Sequence, residues 1–166
     1  MKDKSFEIKV ADLLNQTGKK DEIHFENKFT DQLPNLDAEG ISGDIFLQSL
    51  SKDSLLLSLV DVKCCIEDTC DICQDYYNRN VENDFYEAKF ILPEYDNDEE
   101  SETEEIFPID PKSENINIED MLVQAIILKE PLVKRCKKCL KKSIDIENSN
   151  DDDLGYFEGK TNINFN

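Results

Sequence analysis

Six cysteines carry the chemistry that this sequence can offer. Four of them stand as two C-x-x-C pairs, CDIC with Cys70 and Cys73 and CKKC with Cys136 and Cys139, and residues 74–135 lie between the pairs. A C-x-x-C turn aims two thiolates at one point, and two such turns complete a tetrahedral four-sulfur site. Zinc suits such a site, because thiolate is a soft ligand and Zn²⁺ asks for no geometry beyond four donors. Four sulfurs leave no open position, so a metal held there is structural and not catalytic. On the residues alone two other readings stay open, reduced thiols used as core and a redox dithiol. The dithiol wants its C-x-x-C between a strand and a helix of a βαβ unit, a setting that neither pair has. Cys64 and Cys65, on a strand-like apolar run, read as core filler.

The second pair sits inside KRCKKCLKK, residues 134–142. Residues 129–142 hold seven cations against one acid, Glu130, in a chain of 166 residues with a formal net charge of -19. A zinc ion bound by four thiolates is doubly negative, and Lys134, Arg135, Lys137 and Lys138 offset that charge while favouring the thiolate form. Together with Lys141 and Lys142 the same run is a candidate contact for RNA or for a protein partner. No aromatic residue interleaves it, so base stacking is not indicated. The acidity of the rest disfavours nonspecific phosphate binding by the whole molecule and suits a basic partner, such as a ribosomal protein.

Enzyme signatures are missing. His24 is the one histidine, too few for a histidine-based metal or base cluster, and it reads as an ordinary strand or surface residue. The sequence has no phosphate-cradling glycine loop ending in Lys-Ser or Lys-Thr and no G-x-S-x-G elbow. Its carboxylates come in runs, without an apolar pocket to raise one pKa. We therefore expect no catalytic residue and no small-molecule substrate. MKDKSFEIKV lacks the apolar stretch of a secretory signal, and LLLSLV and MLVQAIIL are too short to span a bilayer. The expectation is a cytoplasmic protein without a membrane partner, with thiols kept reduced.

The elements that must position the cysteines follow from periodicity. FEIKV alternates apolar and polar residues as a strand does, and ADLLNQTG makes a short helical turn ending at Gly18. EIHFENKF alternates again at Ile23, Phe25 and Phe29. GDIFLQSL and LLLSLVDVKCCI are two strands joined by SKDS, and YYNRNVENDFYEAKFIL resumes the strand pattern after CDIC. In NINIEDMLVQAIILKEP, Ile118, Met121, Leu122, Ala125 and Leu128 recur at helical spacing. Asn117 is the expected cap, Asp120 completes a capping box, and Pro131 enforces the stop. Residues 94–105 hold eight acids and no cation, which predicts a solvated loop. The expected fold is a single α+β domain over residues 1–142. It comprises a twisted antiparallel β-sheet or partly open barrel, one principal helix at about 118–129, an acidic loop at about 94–106 and a two-knuckle cysteine site. Residues 143–166 are a polar tail, expected to be disordered.

The order of these features resembles the YceD family, the large ribosomal RNA subunit accumulation proteins. FEIKVADLL opens the chain, a β-meander ends on CDIC, an acidic insertion follows, and INIEDMLVQAIILKEPLVKRC runs into the second pair; the likeness covers about residues 6–142. Ile72 stands where the family commonly has arginine, and no cysteine follows Cys139. The resemblance implies a non-enzymatic role in large-subunit biogenesis, with large-subunit rRNA precursor or a basic ribosomal protein as partner. It implies Cys70, Cys73, Cys136 and Cys139 as metal ligands, with zinc as cofactor. The alternative is a zinc-stapled cytosolic interaction module unrelated to ribosomes.

Overall fold

The computed structural model describes residues 5–93 and 105–142. The chain divides into two compact units, one of Met1–Glu67 with Arg79–Glu130 and the other of Asp68–Asn78 with Pro131–Asn166. The expected disordered tail and all but residues 105 and 106 of the expected acidic loop lie outside the described residues.

In the first unit a sheet of five strands runs in the order β2, β3, β4, β5, β6, where β2 is Lys20–Lys28, β3 Ile41–Ser49, β4 Ser54–Thr69, β5 Tyr76–Ile91 and β6 Ile106–Pro108. The pairs β2–β3 and β3–β4 are antiparallel, as the alternating patterns predict. The apolar run LLLSLV resolves into two faces: Leu55, Leu57 and Leu59 are fully buried, opposite Ser49, Leu47 and Ile45 of β3. Alternate residues must point to opposite faces of a strand, and only one face of this sheet is core.

A bulge then changes the count. The β3–β4 register shifts between Ser42 and Asp44, and Asp61 takes a positive φ of 51°. One extra residue flips the parity of everything beyond it. Even-numbered Val62, Cys64 and Ile66 therefore enter the core, where odd-numbered leucines did before. Gly40, before β3, has φ +72°, and a Cβ there would stand 2.6 Å from the Lys28 carbonyl oxygen, so only glycine fits.

The sheet departs from the expected antiparallel form at its edge. β6 pairs parallel to β5, with Phe90 opposite Phe107 and their rings 5.4 Å apart. The sheet is thus mixed, and it stays open instead of closing into a barrel. A second, two-stranded sheet joins β1, Glu7–Lys9, to β7, Asn115–Asn117, with Ile8 opposite Ile116.

Two helices complete this unit, the short α1 at Ala11–Leu14 and the principal helix α2 at Glu119–Ile127. α2 buries Met121, Leu122, Ala125 and Ile126 in the common core, and Val123 is buried as well. The cap differs from the one the sequence predicts, because the residue in the N-cap position is Ile118, whose side chain makes no capping bond. Asn117 Oδ1 accepts the Glu119 N–H at 2.8 Å, whereas Asp120 accepts from Gln32 Nε2 instead of reaching back to close a capping box. No helix among the described residues is long and apolar enough to cross a membrane.

Candidate metal centre

All four cysteines of the two C-x-x-C pairs belong to the second unit. Cys70 follows the last residue of β4, residues 71–73 form a turn, and β5 begins at Tyr76. Gln74 takes φ 65° and donates its N–H to the Cys70 carbonyl, while the Cys70 N–H is held by the Asp75 carbonyl at 2.9 Å. The chain thus reverses tightly around the first pair. Cys136 directly precedes a helical segment, α3, over residues 137–142, and Cys139 lies in its first turn. The Leu140 N–H bonds the Cys136 carbonyl at 2.9 Å, so both thiols of the second pair are set by one helical turn.

The four Sγ atoms all lie within 4.8 Å of one another. Cys73 and Cys136 sulfurs are 3.7 Å apart. Four sulfurs on one zinc, with Zn–S bonds of about 2.3 Å, must stand roughly 3.8 Å apart. A disulfide needs about 2.05 Å, and all six cysteines are free. The arrangement is a converging tetrad of thiols, and it can hold a thiophilic metal ion.

Hydrogen bonding around the sulfurs prepares negative charge. Cys70 Sγ accepts backbone N–H groups from Cys73, Cys136 and Ile72, which bring its thiol down to about 6 against the opposing effect of burial. The Cys136 N–H to Cys70 Sγ distance is 3.4 Å. Donors fixed on a sulfur favour the thiolate. At Cys73 the Asp75 N–H pulls the thiol down, while burial and hydrogen bonding with Cys70 and Cys136 push it up, and the net is upward. Cys139 is pushed up to about 12, first by burial and then by its sulfur neighbours. Cys73 and Cys139 are thus held toward the thiol form while Cys70 is drawn toward thiolate, since like charges resist sharing so small a space.

Among the cations of the second knuckle, the structure separates two groups. Lys134 is engaged: its Nζ pairs with Asp68 at 3.1 Å, its N–H donates to Asp71 Oδ2 at 2.7 Å, and its carbonyl accepts the Asp71 N–H at 2.8 Å. These bonds tie the second knuckle to the first. Lys137, Lys138, Lys141 and Lys142 are all exposed on α3, and Arg135 is exposed before it. With Cys139 turned inward, helical geometry places the four lysines on the outer side as two i, i+4 pairs. Sequence reasoning missed the roles of Asp68, Asp71 and Tyr77, which packs on the thiols. The signal was present in the acids flanking CDIC, opposite in sign to those flanking CKKC.

Cys64 is buried, and burial pushes its thiol up to about 12. Cys65 is half-buried on the opposite face of β4. Only the first of them fills core. His24 is exposed and pairs with Asp44, its partner across β2 and β3, at 2.7 Å.

No protein-family model, no curated protein and no solved structure matches this chain.

Proposed function

We propose that this chain is a zinc-stapled, non-catalytic assembly factor that binds large-subunit ribosomal RNA precursor or a basic ribosomal protein in the cytoplasm. The observation that carries the zinc is the tetrad itself, four thiols from two distant segments within 4.8 Å. Zinc draws all four sulfurs into the thiolate form and replaces a repulsive cluster with a closed centre. Its role is to join the two knuckles.

The RNA contact is assigned to the outer side of α3. Lysines spaced i, i+4 repel along a helix by about 0.2–0.5 kcal/mol per pair, and cations in a first turn oppose the helix dipole. A helix that accepts both costs suits a neighbouring anion. The doubly negative zinc–thiolate centre is one, and a phosphate backbone is a second. The ribosomal setting rests on the resemblance carried by CDIC and INIEDMLVQAIILKEPLVKRC. Pull-down of the full chain from lysate is its test: large-subunit precursors or ribosomal proteins are expected in the eluate, and their absence counts against it.

A second reading has its own support. Ile72, Leu132, Val133 and Leu140 are exposed apolar residues in the cysteine unit, with Leu132 wholly so. Apolar side chains on a small metal-stapled unit suit a protein interaction module unrelated to ribosomes. A lysate pull-down that returns a protein partner without ribosomal particles favours this reading.

A further inference from the structure

The four sulfurs of the tetrad, on whose reading as a metal site this inference rests, are not equally protected. Cys70, Cys136 and Cys139 are 0%, 9% and 4% exposed, whereas Cys73 is exposed. Its neighbour Ile72 is 60% exposed, so the turn that carries Cys73 opens to solvent. Cys73 is therefore the sulfur that a solvent-borne electrophile meets first. Next to it, at 3.7 Å, stands Cys136, a sulfur from the other knuckle.

The geometry points to Cys73 and Cys136 as an oxidation site, at which hydrogen peroxide links the two knuckles by a disulfide and displaces the metal. The Cys73 thiolate attacks one peroxide oxygen; a sulfur–oxygen bond forms, the O–O bond breaks, and hydroxide leaves to become water with a solvent proton. The Cys136 thiolate then attacks the sulfenic sulfur of Cys73. The disulfide forms, the sulfur–oxygen bond breaks, and a second hydroxide leaves as water. Two electrons pass from two thiolates to one peroxide, which ends as two waters. The sulfurs close from 3.7 Å to about 2.05 Å, and zinc is left with Cys70 and Cys139, too few ligands for a closed site.

The choice of partner sets the consequence. A disulfide inside either C-x-x-C pair leaves the knuckles joined by nothing covalent once zinc departs. A Cys73–Cys136 bond keeps them tied, so the oxidised form loses its metal without losing the join. Reduction by a dithiol restores the ligands.

The experiment uses the full chain, loaded with zinc and freed of reductant, and titrates it with hydrogen peroxide. Zinc release is followed with a chromogenic chelator, and disulfides are mapped by mass spectrometry of peptides from unreduced protein. The expected result is release of about one zinc per chain with one linkage, Cys73–Cys136, reversed by a dithiol. Cys65→Ser should release zinc at the unaltered rate, and in Cys73→Ser, which itself lacks a ligand and is read by the peptide map alone, Cys136 should stay reduced at the same peroxide level. Retention of zinc at peroxide levels that oxidise a small-molecule thiol overturns the proposal, as does a linkage confined to one C-x-x-C pair. A chain that holds no zinc before peroxide overturns the metal reading instead, and the peptide map still decides which cysteines join.

Discussion

Asp71 and Lys134 clasp each other twice, once backbone to backbone and once from the Lys134 N–H to the Asp71 carboxylate. The Asp71 N–H donates to the Lys134 carbonyl at 2.8 Å, and the Lys134 N–H donates to Asp71 Oδ2 at 2.7 Å. One residue stands inside the first C-x-x-C and the other just before the second. The clasp therefore aligns the two knuckles before any ion arrives, and preorganised ligands bind with less ordering cost.

Asp71→Ala removes the acceptor and leaves the Lys134 N–H to water. We expect a loss of about 1 kcal/mol, the usual worth of one partly exposed hydrogen bond. Zinc affinity should fall while stoichiometry holds. Competition with a chelator of known affinity reads the first quantity, and metal analysis the second. Unchanged affinity would mean that the clasp does not prepare the site.

In the first unit, the buried Asn83 plays the corresponding part. Its Nδ2 donates to the Ala125 carbonyl at 2.8 Å, and its Oδ1 accepts the Phe85 N–H at 3.2 Å. Ala125 needs that donor because the Lys129 N–H, its natural helical partner, turns to Ile126 instead. The last carbonyls of a helix lack partners, and a buried one must find another. Asn83→Leu should cost about 1–3 kcal/mol, seen as a lower urea midpoint at unchanged slope. A midpoint equal to wild type contradicts this account of the helix end.

What the sequence made legible follows from local physics. Alternation located β2 to β5, helical spacing located α2 within two residues at each end, and paired C-x-x-C spacing named the four thiols that converge. What escaped was non-local or small. The three-residue strands β6 and β7 are too short for periodicity, and the pairing of β7 with β1, a strand that FEIKV did announce, depends on partners far along the chain. The parallel β5–β6 pair has no sequence signature at that length. The fate of Cys64 and Cys65 turned on a bulge at Asp61, which no apolar pattern announces. Lys134 looked like one cation among seven until its distant partners Asp68 and Asp71 were in place.

His24 reports on the sheet without disturbing it. The hydrogen bond that His24 donates to Asp44, together with the charges of Asp44 and Glu26, raises its pKa above the ordinary 6.5 against the opposing effect of burial. A folded-state pKa raised above the unfolded value adds stability below about pH 6.5, and that contribution is lost as pH rises through the folded pKa. As the chain's one histidine, it gives a single resolved NMR titration. Its midpoint should lie above 6.5 in the native protein and move down in Asp44→Asn. A midpoint that ignores the substitution removes the pair.

The zinc content of the full chain tests the central claim most directly. Protein purified without chelator should carry about one zinc per chain, with Cys70, Cys136 and Cys139 of its four ligand thiols shielded from a thiol reagent, and Cys136→Ser should release the metal and lower stability. A metal-free chain that keeps its full stability in chelator, with all four of these thiols reactive, would contradict the account.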